Sequence, residues 1–133
     1  MTSPKNPSVS WRNLEEFAGI EMAKSYVLSW TFARGTLSID VDLQLSSAHP
    51  FYEKPRPAEK VCIRAAVIDF PYCESIVAGG TGVEESINDT VARLEIGAIE
   101  DLCRLDSGAY EISGEFGTVR VDAERPILRV SSR

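Results

Sequence analysis

The chain has 133 residues, 44% of them apolar and 26% charged, and carries a net charge of −6. That length fits one domain able to bury about two thirds of its unfolded surface. The acidic balance repels phosphate backbones and argues against a nucleic-acid partner, and no run reaches the roughly 18 apolar residues of a membrane span.

The first residues, MTSPKNPSVSW, have no apolar stretch of the kind an export signal needs. Cys62, Cys73 and Cys103 form an odd, sparse set that suits a reducing compartment better than a disulfide framework. Both features predict a cytoplasmic protein without a membrane segment. Residues 1–9, with Pro4 and Pro7 among small polar residues, read as a flexible tail before a single β-rich domain at 10–133. A short helix is expected next. Ser10 or Asn13 can cap it, Glu15 and Glu16 suit its first turn, Gly19 ends it, and Trp11, Leu14 and Phe17 share a stripe.

From Ser25 the apolar period becomes two. Tyr26, Leu28, Trp30 and Phe32 alternate with Val27, Ser29, Thr31 and Ala33, and Arg34-Gly35 separates them from Leu37–Leu45, reading LSIDVDLQL. There Leu37, Ile39, Val41, Leu43 and Leu45 point one way and Ser38, Asp40, Asp42 and Gln44 the other, a strand with one wet face. A wet face implies an antiparallel sheet, and the pair reads as a hairpin. Residues 46–59, with Pro50, Pro55 and Pro57, are irregular. Lys60 to Phe70 is apolar on both faces, as in a central strand covered on two sides, and Cys73 to Ala78 gives a short strand.

Residues 79–90 read as a polar loop and Val91 to Ile96 as an alternating strand. Ala98 to Leu105 is ambiguous, because Ile99, Leu102 and Leu105 fit a second short helix as well as a bent strand. Ala109–Ser113, the turn at Gly114 to Gly117, and Thr118–Ala123 make a second hairpin, and Ile127–Val130 closes the chain after Pro126. About seven or eight short strands with frequent turns define a mainly β fold: an antiparallel sandwich, a barrel or a strongly curved sheet.

Chemistry-bearing patterns are sparse. His49 is the only histidine, beside Tyr52, Glu53 and Glu59 in the proline-rich loop. A metal-assisted enzyme would need His49 with Glu59, Asp40 or Asp42, whereas a catalytic zinc commonly takes two or three histidines. Asp40 and Asp42 share one strand face, about 7 Å apart, as solvated residues do. Gly79-Gly80-Thr81-Gly82 lacks the Lys and the following helix of a phosphate loop, and Glu84 and Glu85 would repel a phosphate. The cysteines are too far apart for a CxxC pair, and at least two of the three read as buried thiols.

Most aromatics belong in the core. Phe51, Tyr52 and Tyr72, in or beside proline-containing loops, are the exceptions. His49, Phe51, Tyr52, Glu59 and Tyr72 are therefore the candidate binding residues, with no catalytic residue, metal or cofactor expected. Residues 61–133 carry thirteen acidic against seven basic side chains, whereas residues 1–60 balance at seven each. The expected function is a non-enzymatic interaction module that binds a protein partner or forms a homodimer, an immunity-type inhibitor being one form. A small-ligand-binding β-barrel is the alternative.

Overall fold

A computed structural model describes residues 8–55, 57, 58, 60–79 and 86–131. The described strands are β1 (Val9–Ser10), β2 (Ile20–Ala33), β3 (Thr36–Leu45), β4 (Cys62–Phe70), β5 (Ser75–Ala78), β6 (Gly97–Arg104), β7 (Tyr110–Gly114), β8 (Gly117–Asp122) and β9 (Ile127–Val130). All nine pair antiparallel in one sheet, in the order β5-β8-β7-β6-β2-β3-β4-β9. β1 pairs with the far end of β6, so β1 and β2 share that strand's edge. The path is open at β5 and β9 and does not close into a barrel.

The sheet nevertheless folds over on itself. Phe70 on β4 and Tyr110 on β7 lie four strand steps apart, about 19 Å in a flat sheet, yet their ring centroids are 5.3 Å apart. Bulges supply the bend. β2 shifts register between Glu21 and Tyr26 and between Val27 and Ser29, and β6 shifts between Ile99 and Asp101. Inside the fold lies one apolar core, with Leu37, Ile39, Val41, Leu43 and Leu45 of β3 all buried as their alternation predicts. The β2–β3 turn is Arg34-Gly35, both at positive φ (54° and 76°), the two-residue geometry whose twist matches the flanking strands.

Several elements differ from expectation, each for a local reason. The N-terminal helix is two 3-10 turns, Trp11–Asn13 and Glu15–Phe17, with the Ser10 hydroxyl accepting from the Arg12 N–H. Three residues per turn stack positions i and i+3, and Trp11, Leu14 and Phe17 are accordingly all buried. The tail expected at 1–9 falls outside the described residues up to residue 7, and Val9 is already paired with Arg104.

Val91 to Ile96 is not a strand. Ser86 caps helix α1 (Ile87–Arg93) by accepting from the Asp89 N–H. Ile87, Val91 and Leu94 pack against the core at the spacing of a helix. Of residues 98–105, conversely, all but Leu105 are strand: the β6 bulge at Glu100 inserts one residue between the buried Ile99 and Leu102, turning a period of two into an apparent three. β4 is central but covered on one side only, because Ile63, Ala65, Val67 and Asp69 line the outer face.

Candidate interaction surface

The loop after β3 turns back on itself, with His49 N–H donating to Ser46 O and Tyr52 N–H to His49 O. His49 Nδ1 accepts from the Phe51 N–H at 3.0 Å, which commits that ring nitrogen to the loop and places the neutral ring's proton on Nε2. Burial pushes the His49 pKa down. The Phe51 ring meets the imidazole edge-on at 5.7 Å and stays exposed, while Tyr52 packs down on the core. The adjacent aromatics therefore split into one anchor and one outward ring.

Glu53, itself largely exposed, pairs with Arg64 of β4. The Arg64 guanidinium is 6% exposed, with Nη1 donating to Ile63 O at 3.2 Å and Nη2 3.2 Å from Glu53 Oε1, off the hydrogen-bonding direction. Glu59 lies outside the described residues. Among the described residues no three His, Cys, Asp or Glu side chains come together as a metal site.

Tyr72 belongs to a different place. β3 and β4 run antiparallel in register from Leu45↔Cys62 to Leu37↔Phe70. The His49–Tyr52 loop leaves from the first end and Tyr72 follows the second, on the order of 25 Å away by strand rise. Tyr72 thus lies apart from His49, Phe51 and Tyr52. Tyr72 is 78% exposed and held at φ 51°, between Cys73 N–H donating to Gly35 O and Glu124 N–H donating to Pro71 O.

Exposed apolar residues also come together where β2 meets β6. Tyr26 pairs with Ala98 and Val27 with Gly97, and Leu28 and Ile96 are the next residues of the two segments beyond that pairing. Val27 is fully buried, and Tyr26, Leu28 and Ile96 are 45%, 43% and 55% exposed. After the bulge at Leu28, Trp30 and Phe32 turn toward the core opposite Ile39 and Leu37. The sequence pattern placed Tyr26, Leu28, Trp30 and Phe32 on one face; the extra residue divides them between two. The one signal for it is Val27, apolar at the wrong parity.

Carboxylates flank this strip. Asp42 stands opposite Tyr26 and Asp40 opposite Ser29, on the wet face of β3. On the other side Glu115 accepts from the Ala98 N–H at 2.6 Å through Oε1, while its own N–H donates to Ala98 O. Glu115 also faces the Tyr26 hydroxyl, and its charge and hydrogen bond raise the Tyr26 pKa. The backbone carbonyl of Glu95, next to Ile96, takes the Trp30 Nε1–H at 2.8 Å, and Trp30 stacks edge-on against Phe116 at 5.4 Å. Glycine is required at this junction: a Cβ on Gly97 would stand 2.7 Å from Glu115 Cβ. The strip is thus held from beneath by packed aromatics.

Two of the thiols, Cys73 and Cys103, are shifted toward the protonated form. Burial pushes Cys73 up to about 11, and burial with nearby carboxylates raises Cys103. Comparison of the chain with protein-family models, with curated proteins and with solved structures gives no significant match.

Proposed function

We propose that this chain is a cytoplasmic, non-enzymatic interaction module that binds another protein, or a second copy of itself, through the outer face of β2 and β6. The observation that carries this is the exposure of Tyr26, Leu28 and Ile96 at and directly beside the β2–β6 pairing. Contiguous exposed apolar surface with a polar rim is characteristic of contact sites. Contact through the edges is less favoured. β5 and β9 have four residues each, and β9 follows Pro126 and carries Arg129, features that blunt edge-to-edge pairing. Free thiols at Cys62, Cys73 and Cys103 suit a reducing compartment.

A photo-crosslinking residue placed at Ile96, with Thr118 as an exposed control in the β8 turn, tests the proposal in the producing cell. A discrete adduct from position 96 that is absent from position 118 is the expected result. No adduct from position 96, with the purified chain monomeric by light scattering, would sink it.

A further inference from the structure

We infer that the β2–β6 face takes a partner segment carrying aliphatic side chains next to lysine or arginine, and not a second copy of this chain. The inference rests on the interaction-module proposal and adds the chemistry of the occupant. The centre of the face is apolar, formed by Tyr26, Leu28 and Ile96. Asp40 and Asp42 border it on one side and Glu115 on the other. Neighbouring strands are about 5 Å apart, so a bound side chain seated on Leu28 has a carboxylate within reach of its neighbours in either direction.

These carboxylates are largely uncommitted to cations. Among the described residues no ion pair involves Asp42 or Glu115. Asp40 takes the Ser29 hydroxyl at 2.6 Å, and Arg129, on which the Asp40 charge also acts, is bonded to Asp69 at 2.7 Å. Lys24 lies two residues before Tyr26 and is the remaining cation close by on β2. Glu115 is fixed by the Ala98 N–H and the Tyr26 hydroxyl. Its remaining lone pairs are therefore already positioned for a guanidinium or ammonium donor, with little side-chain entropy left to lose.

Charge also decides against a second copy. A two-fold dimer through this face would set the same acidic borders against each other, on chains that each carry −6. Like charges juxtaposed at an interface oppose association, whereas complementary ones steer it. A basic amphipathic segment satisfies both centre and rim.

Two measurements test this. The first follows the amide spectrum of the protein during titration with synthetic peptides alternating leucine with lysine, leucine with glutamate, or serine with lysine. The leucine–lysine peptide should shift Tyr26, Leu28, Ile96 and Ala98. Ile96→Ser or Leu28→Ser should weaken it about tenfold or more, and added salt should weaken it further. Glu115→Gln with Asp42→Asn should weaken it and flatten the salt dependence. Equal binding of the leucine–glutamate peptide, shifts that map elsewhere, or unchanged affinity in a folded Ile96→Ser chain would each overturn the inference. The second sequences the peptide crosslinked to position 96. A contact peptide rich in lysine or arginine and aliphatic residues supports it. An acidic contact peptide, or one from this chain, overturns it while leaving the interaction module standing; the absence of any crosslink removes both.

Discussion

Gly19 and His49 meet backbone to backbone: a β-carbon on Gly19 would stand 2.8 Å from Cα of His49. Gly19 sits at φ 79°, and its carbonyl accepts from the Ser46 N–H at 2.9 Å. This contact joins the start of β2 to the loop that follows β3. Gly19→Ala should therefore be costly twice over, through a positive φ that disfavours any β-carbon and through displacement of the loop. A loss of at least about 2 kcal/mol in denaturant unfolding is expected. An unchanged midpoint would mean that the loop does not dock here.

His49 should make stability depend on pH in a definite direction. Burial lowers its folded pKa below the ordinary 6.5, so the unfolded chain binds the proton more readily. Stability then rises with pH through that window and falls on acidification, as His49 gains a proton that Nδ1 cannot hold while accepting from Phe51. Asn at position 49 can still accept from the backbone two residues on, without titrating. Between about pH 7.5 and 5, melting of the native chain should drop more than that of His49→Asn. Parallel curves would show that His49 is indifferent to its charge.

How far the sequence carries the fold is clearest where bulges intervene. β3 has none between Thr36 and Leu45, and its faces are read correctly residue by residue. One inserted residue at Leu28 divides the aromatics of β2 between two faces, and one at Glu100 makes β6 look helical. α1 was obscured for the opposite reason: the Ile87, Val91 and Leu94 stripe begins within a polar stretch, and Val91, Ala92 and Arg93 open a chance alternation. The candidate surface was illegible because its members, Tyr26, Leu28 and Ile96, come together only through strand pairing. The aromatic loop was legible as irregular, with Tyr52 inward and Phe51 outward. Its distance from Tyr72 depends on the β3–β4 register, which no local pattern encodes.

On the wet face of β3 and β4 the acids are not equivalent. Asp69 accepts from Arg129 Nε at 2.7 Å and from the Ser38 hydroxyl at 2.6 Å, and the Arg129 bond in particular holds its pKa low. A depressed folded pKa stabilises above the ordinary aspartate value, and that contribution is lost as pH falls through the folded pKa. Asp69→Asn should thus cost about 0.5–1 kcal/mol at neutral pH, a difference from the native chain that shrinks below about pH 4. Asp42→Asn, with no such bonds, should stay within about 0.5 kcal/mol. Equal losses in both variants, compared by urea unfolding, would show that the Arg129–Asp69–Ser38 chain contributes nothing.

The two aromatics of the loop should separate cleanly by what they touch. Tyr52 packs against the core, so Tyr52→Ala removes buried apolar contact. A loss of about 1–3 kcal/mol is expected, below the cost for a fully buried aromatic because the ring is only partly covered. Phe51 is exposed and meets the His49 imidazole edge-on, so Phe51→Ala should cost less than about 1 kcal/mol. If the loop acts as a lid over this end of the sheet, the double variant melts lower yet keeps whatever partner crosslinks through Ile96. The two ends of that comparison are independent, because the loop follows β3 while the acidic strip sits where β2 meets β6. A fully stable double variant that loses the partner would move the contact surface from the strip to the loop.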